Sequence, residues 1–126
     1  MAATLLIAAA LVQAAPAWRT IHEADGALYA LDPASLTREG DRVRARMRAS
    51  RAEPMADGIS SVVAEVELDC RARTATLLGR TAFGADGRLL AALEVPAEQR
   101  RAEPLHTNAE DEALHRSLCA PPPATP

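Results

Sequence analysis

Residues 41–49 read DRVRARMRA and residues 59–70 read ISSVVAEVELDC. In the first stretch four arginines alternate with smaller apolar side chains, namely Arg42, Arg44, Arg46 and Arg48. In the second, Glu65, Glu67 and Asp69 alternate with apolar residues in the same way. A period of two over about eight residues is typical of a β-strand with one face in water and one face in a core. The two stretches therefore predict two long strands, each with a charged face.

Opposite charges predict how these two strands pair. In one antiparallel register Arg46 faces Glu65, Arg44 faces Glu67 and Arg42 faces Asp69. Such cross-strand pairs contribute only about a few tenths of a kcal/mol each. Their effect is on register, because a slip of one residue would turn the charges toward the core. The register places all three charge pairs on the solvent face and turns Cys70 inward.

The segments before and after these strands predict further short strands, which makes an antiparallel meander. Alternation and flanking turns predict strands at residues 18–23, 27–31, 74–83 and 88–95. For the last of these, leucine and alanine also suit a helix, but Gly87 before it and Pro96 after it favour a strand. Asp32 followed by Pro33 predicts one short helical turn, since Asp is a common N-cap and Pro suits the first helical position.

The C-terminal part of the chain predicts a polar connection followed by a helix. Residues 97–106 are polar and contain Pro104. Thr107 or Asn108 can cap a helix, and the spacing Thr107-x-x-Glu110 suits a capping box. Acidic residues follow in the first turn, and the prolines after Ala120 end the helix. The predicted fold is α+β, a single antiparallel sheet of about six strands with a C-terminal helix.

The first 17 residues predict a secretory signal peptide. They contain no charged side chain, Leu5–Val12 is continuously apolar, and Ala15-Pro16-Ala17 offers small residues for cleavage after Ala17 or Ala14. A hydrophobic first strand or membrane anchor is the alternative, but the run is far shorter than the roughly 20 residues that span a bilayer. We therefore expect an exported protein, periplasmic or secreted, with one domain at residues 18–120 and a flexible Pro-rich tail at residues 121–126.

Cys70 and Cys119 are the two cysteines of the chain. In an oxidising compartment such a pair predicts a disulfide, which here would close a loop between positions 49 residues apart. The alternative is a metal site, since His115 lies four residues before Cys119. A closed zinc site needs about four ligands, and no further Cys or His cluster supplies them. The sequence therefore favours a disulfide and predicts neither a metal nor another cofactor.

Composition and motifs argue against two classes of function. A formal net charge of −3 does not suit a general nucleic-acid-binding protein. The chain contains no G-x-S-x-G motif, no H-E-x-x-H motif and no glycine-rich phosphate loop. His22, His106 and His115 are dispersed rather than clustered. We therefore expect no enzymatic activity.

The four alternating arginines, Arg42, Arg44, Arg46 and Arg48, form what we call the arginine ladder. One interpretation is a binding face for a partner protein or an acidic glycan such as a sulfated one. The other, which the charge register favours, is a solvated face neutralised by Glu65, Glu67 and Asp69.

An ordered set of residues across the chain resembles a known family. The set comprises Trp18, Tyr29-Ala30-Leu31-Asp32 with Pro33 and Ser35, Gly40, Leu68-Asp69-Cys70, Gly84-x-x-Gly87 and Leu118-Cys119. It covers residues 18–119 and resembles the bacterial surface-adhesin protein E-like family. The resemblance implies a single curved antiparallel sheet with a C-terminal helix tethered by the disulfide to its concave face. It also implies binding to host matrix or serum proteins and self-association as a homodimer.

The chain departs from the founding adhesin of that family at the residue after the predicted cleavage site. A lipoprotein carries a cysteine there, whereas this chain has Trp18. We therefore expect no lipid or transmembrane anchor after cleavage. The predicted function is a non-enzymatic envelope binding module. The alternatives are a surface adhesin for host proteins and a periplasmic structural protein.

Overall fold

The computed structural model describes residues 17–121. It contains seven strands, one 3-10 turn at Ala97–Gln99 and one helix. The strands are β1 (Arg19–Ala24), β2 (Ala27–Glu39), β3 (Arg42–Arg51), β4 (Ile59–Asp69), β5 (Thr74–Gly84), β6 (Leu89–Glu94) and β7 (Ala102–Pro104), and the helix is α1 (Ala109–Cys119). The signal peptide predicted for residues 1–17, except Ala17, and the tail predicted for residues 121–126, except Pro121, lie outside the described residues.

The sheet is an antiparallel meander in the order β1-β2-β3-β4-β5-β6, as the sequence predicted. The predicted register between β3 and β4 is confirmed, with Arg46 opposite Glu65, Arg44 opposite Glu67 and Arg42 opposite Asp69. Within the predicted segment 88–95, for which a helix was the alternative, Leu89–Glu94 form strand β6. Alternation and charge were therefore sufficient to place the central pair of strands.

A tight turn at Asp25-Gly26 joins β1 to β2. Both residues have positive φ, 53° at Asp25 and 77° at Gly26. Two-residue hairpins favour this backbone because its twist matches that of the flanking strands. Asp and Gly tolerate it better than most residues, which explains their place here.

The helical turn predicted at Asp32-Pro33 is wrong. Strand β2 continues through this segment to Glu39, with an irregularity between Asp32 and Thr37. The Ser35 hydroxyl donates to the Asp32 carbonyl oxygen at 2.6 Å and accepts from the Arg46 backbone N–H at 2.8 Å. The Asp32 carboxylate accepts from the Ala34 N–H at 3.2 Å. The Asp32 side chain, predicted to cap a helix, therefore stabilises a bulge in β2 instead. Strand β3 supplies the Arg46 N–H, through which Ser35 connects the bulge to the neighbouring strand.

The connection predicted for residues 97–106 also contains a strand that the sequence did not reveal. Residues of β7 pair with Thr74, Ala75 and Thr76 of β5, beyond the part of β5 that β6 covers. Three residues are too few for a pattern of period two to be recognised. The sheet therefore has seven strands instead of about six.

The core lies between α1 and one face of the sheet. Its fully buried side chains are Leu31, Val43, Leu68 and Leu118. Leu118 is contributed by α1 and the others by β2, β3 and β4, with Leu36, Val66, Leu105 and Leu114 packed around them. Among residues 17–121, no aromatic side chain belongs to this cluster. The core is therefore small and aliphatic.

The predicted disulfide joins Cys70, directly after β4, to Cys119 at the end of α1. Polar contacts reinforce the attachment of the helix. Arg38 donates to the carbonyl oxygens of Leu118 at 2.7 Å and Ala120 at 2.9 Å, which lie at the helix end. Arg73 pairs with Glu112 of α1 at 2.6 Å. The helix is thus held on the sheet by covalent, apolar and polar contacts.

At the N-terminus of α1 the structure selects Asn108 as the cap. Its side chain accepts a hydrogen bond from the Asp111 N–H at 2.7 Å. The predicted capping box between Thr107 and Glu110 is therefore wrong. The side chain that reaches back toward the start of the helix is that of Asp111, which accepts from the His106 N–H at 2.7 Å.

Candidate binding face

The face of the sheet opposite α1, here called the open face, carries the arginine ladder. Arg48, Val63 and Thr81 follow one another across β3, β4 and β5, and Arg46 lies opposite Glu65. Since successive side chains of a strand alternate between faces, these residues lie on the side away from Val43 and Leu68. The helix therefore leaves this face uncovered.

Two members of the arginine ladder are paired with one carboxylate. Arg44 Nε donates to Glu67 Oε2 at 2.7 Å, and Arg42 Nη1 lies 3.8 Å from Glu67 Oε1. The predicted ion pair between Arg42 and Asp69 does not form, although the two residues are register partners. Asp69 instead accepts hydrogen bonds from the backbone N–H groups of Arg71 and Ala72 in the following turn. The Asp69 carboxylate, which was predicted to pair with Arg42, therefore stabilises the turn after β4 instead.

Arg46 lies between two carboxylates. It is 3.5 Å from Glu65 and 3.8 Å from Asp32, measured from guanidinium nitrogen to carboxylate oxygen. The Asp32 side chain is only 6% exposed, whereas that of Glu65 is 59% exposed. A nearly buried carboxylate needs a charged or hydrogen-bonding partner. Asp32, predicted as a turn cap, therefore also helps to hold Arg46 in place.

Arg48 differs from the rest of the ladder. Its guanidinium carbon lies 4.8 Å from the ring centroid of Trp18, which is a cation–π contact. Within residues 17–121 it has no carboxylate within salt-bridge distance, and its buried Nε has no hydrogen-bond acceptor. The neutralisation that the sequence predicted therefore applies to Arg42, Arg44 and Arg46 and not to Arg48.

A broad groove crosses the open face from β3 to β6. Its volume is about 870 Å³. Three arginines (Arg44, Arg46 and Arg100) and two glutamates (Glu65 and Glu94) are among the residues that line it. The Arg100 Nε donates to the Val95 carbonyl oxygen at 2.9 Å, which fixes its stem at the rim. Arginine is thus in excess along the groove.

A smaller concavity, here called the Trp18 pocket, adjoins the groove at the Arg48 end of the ladder. Its volume is about 400 Å³, and its lining residues are Trp18, Arg46, Arg48, Ser61, Val63, Thr81 and Phe83. Nothing in the sequence indicates this pocket. Trp18 and Phe83 are the single Trp and the single Phe of the chain, but nothing local shows that they meet on one side of a sheet.

The described residues offer no constellation for metal chemistry. Between residues 17 and 121 there is no group of three His, Cys, Asp or Glu side chains that could hold a metal ion. His115 Nε2 lies 3.2 Å from the Cys70 carbonyl oxygen, and both cysteines are in the disulfide. The histidine that suggested a metal ligand is therefore part of the helix attachment.

Comparison with known proteins agrees with this architecture. The family model described as "Surface-adhesin protein E" matches residues 18–120. The chain belongs to the surface-adhesin protein E family. The fold is similar to crystal form II of Haemophilus influenzae protein E, with a TM-score of 0.53 and 13% sequence identity over 85% of this chain and 97% of that chain. No curated protein sequence matches.

As a member of the surface-adhesin protein E family, the chain is an adhesin-like module, and proteins of this family are surface or exported proteins. At 13% identity the structural similarity concerns the fold alone. The part of the chain that the structure describes has no helix of the length and apolarity needed to cross a membrane.

Proposed function

We propose that this chain is a non-enzymatic, exported binding module whose open face docks an acidic partner, either a protein or an acidic glycan. The observation that carries the proposal is the excess of arginine along an uncovered groove. Arg42, Arg44 and Arg46 have side chains 70%, 57% and 42% exposed. Exposed arginines in one row suit carboxylate and sulfate groups, because the guanidinium fork binds such groups in a bidentate manner.

Electrostatic docking of this kind has a recognisable dependence on ionic strength. Exposed charges are screened over a Debye length of about 8 Å at physiological salt. Steering and binding through the ladder should therefore weaken as salt is raised. Binding through apolar surface would not show this dependence.

The test uses two double variants with the same net charge. Arg44→Glu with Arg46→Glu changes the open face, and Arg51→Glu with Arg71→Glu changes exposed arginines elsewhere. We expect the wild-type protein and the second variant to bind immobilised heparin and to capture an envelope protein, both reversibly with salt. The open-face variant should lose both. Circular dichroism and thermal unfolding establish whether each variant is folded. If the open-face variant is not folded, the double variant Arg44→Gln with Arg46→Gln is used in its place.

Two outcomes would contradict the proposal. Equal loss in both double variants would show that net charge alone governs binding. Undiminished binding in the open-face variant would show that the partner docks elsewhere.

The place of action is a further part of the proposal. The residue after the predicted cleavage site is Trp18 and not cysteine, which supports a periplasmic or released protein. The family description as a surface adhesin favours the alternative of display toward host proteins. Labelling of intact cells with an impermeant reagent distinguishes them, because only a displayed protein is labelled before the outer membrane is opened.

A further inference from the structure

The Trp18 pocket contains a positive charge for which the described chain supplies no counter-charge. Arg48 is half-buried, makes no salt bridge within residues 17–121 and has a buried Nε without an acceptor. Buried guanidinium groups are ordinarily paired and hydrogen-bonded, because an unsatisfied buried charge is costly. The cation–π contact with Trp18 offsets this cost only in part, since such contacts contribute about 0.5–2 kcal/mol.

The remaining walls of the pocket are suited to an apolar body. Trp18, Val63 and Phe83 contribute apolar surface, whereas Ser61 and Thr81 contribute hydroxyl groups. A volume of about 400 Å³ is within the range of small-ligand sites, which are mostly apolar with a few fixed polar groups. The pocket therefore combines a cation that has no salt-bridge partner among the described residues with a mainly apolar lining.

Charge further restricts the ligand. Arg46 also borders the pocket, but it is already 3.5 Å from Glu65 and 3.8 Å from Asp32. One unneutralised guanidinium matches a ligand group with one negative charge, and a carboxylate carries one. A guanidinium stacked on an aromatic ring keeps its edge for a planar, bidentate acceptor.

The geometry points to the Trp18 pocket as a subsite for a carboxylate borne on an apolar body, with Arg48 as the charge partner and Trp18, Val63 and Phe83 as the walls. This inference rests on the proposed role of the open face as the binding surface and names the chemistry of one part of it. A carboxylate there supplies the counter-charge that the described residues do not give to Arg48.

Trp18 makes the inference directly measurable. It is the single Trp of the chain, so its fluorescence reports this pocket alone. The probes are cyclohexanecarboxylate and cyclohexanecarboxamide, which have the same ring and differ in charge, with inorganic phosphate as an anion without an apolar body. The protein is the exported chain with its disulfide intact.

We expect cyclohexanecarboxylate to change Trp18 emission saturably and to bind at least about tenfold more tightly than the amide, because a hydrogen bond to a charged group contributes more than a neutral one. The Arg48→Gln variant should lose that preference, while Arg51→Gln, on the opposite face of the same strand, should keep it. If Arg48→Gln does not fold, the Arg48 Nε–H resonance of the wild-type protein is followed instead, and it should shift with the carboxylate and not with the amide.

The inference is overturned by equal affinity for acid and amide, by unchanged affinity in Arg48→Gln, or by phosphate binding as tightly as the carboxylate. The inference is also overturned if Trp18 emission shows no saturable change up to about 10 mM cyclohexanecarboxylate. Such an affinity would be weaker than the millimolar values that small fragments reach. Failure here with intact heparin binding would leave the proposed docking face standing. If the wild-type protein binds neither heparin nor an envelope protein but shows the expected Trp18 response, the proposed docking face is refuted and the carboxylate subsite still stands.

Discussion

Ser35 shows how one hydroxyl group can replace part of a strand ladder. It donates to the Asp32 carbonyl oxygen and accepts from the Arg46 N–H, at the point where β2 and β3 lose their regular pairing. Without it, two backbone groups near the buried Asp32 lose their partner. Backbone groups that are removed from water need such partners.

Replacement of Ser35 by alanine should therefore lower the free energy of unfolding by about 1–2 kcal/mol, the usual range for a hydrogen bond with buried partners. Ser60 provides a matched control, because its buried hydroxyl has no hydrogen-bond partner. We expect Ser60→Ala to be neutral or slightly stabilising. Urea unfolding of both variants measures the difference, and equal losses would argue against the bridging role of Ser35.

Tyr29 is the residue whose ionisation the fold alters most clearly. Burial raises the pKa of its phenol above the ordinary value of 10.0, and the Glu110 carboxylate raises it further. Because the folded protein holds this proton more tightly than the unfolded chain does, the contribution to stability is complete below pH 10.0. It is lost as the pH rises through the folded-state pKa.

The titration of Tyr29 can be observed on its own, because it is the single tyrosine of the chain. Its ultraviolet absorbance should report a pKa above 10.0 in the folded protein. In Tyr29→Phe the alkaline loss of stability should be smaller than in the wild-type protein. A phenol that titrates at or below 10.0 would contradict the environment described for it.

At the scale of the element, α1 is held by few apolar contacts. Leu118 is fully buried among side chains of β2, β3 and β4, and Ala113 is also buried. The polar contacts of Arg38 and Arg73 lie at its periphery. Most of the packing energy of the helix is therefore expected to come from Leu118.

Truncation of Leu118 to alanine should cost about 2–5 kcal/mol, the range found when a large aliphatic side chain is removed from a core. Leu89 of β6 is the control, since its side chain is 57% exposed and Leu89→Ala should change stability by less than about 0.5 kcal/mol. Thermal and urea unfolding provide both values. A small effect at Leu118 would show that the helix is held by its disulfide and polar contacts alone.

At the scale of the whole molecule, the disulfide compensates for a small aliphatic core. Small domains bury a limited fraction of their surface and often depend on covalent cross-links. Here the bond joins β4 to the last helical residue across 49 positions, so it restricts most of the C-terminal half of the unfolded chain.

Reduction should therefore lower the free energy of unfolding by roughly 4 kcal/mol, which is the chain-entropy value for a loop of this length. The double variant Cys70→Ala with Cys119→Ala should be equally destabilised and insensitive to reductant. Urea unfolding with and without dithiothreitol tests both statements. A reduced protein as stable as the oxidised one would show that the sheet and helix need no cross-link.

The alternating residues 42–48 and 65–69 were sufficient by themselves to determine two strands, their register and their inner and outer faces. The reason is local: period two and opposite charge leave one antiparallel pairing that buries the apolar side chains. The two cysteines likewise determined the cross-link, since in the expected compartment each had one available partner.

Only the tertiary structure decided which charges remain unpaired. Asp69 is used by the next turn, Asp32 is buried beside Arg46, and Trp18 lies beside Arg48 on the open face. The bulge at Ser35 and the pairing of β7 with β5 depend in the same way on partners far along the chain. A side chain's partners are set by what the whole fold brings to it, and around Arg48 the described part of the chain supplies an aromatic ring and no carboxylate.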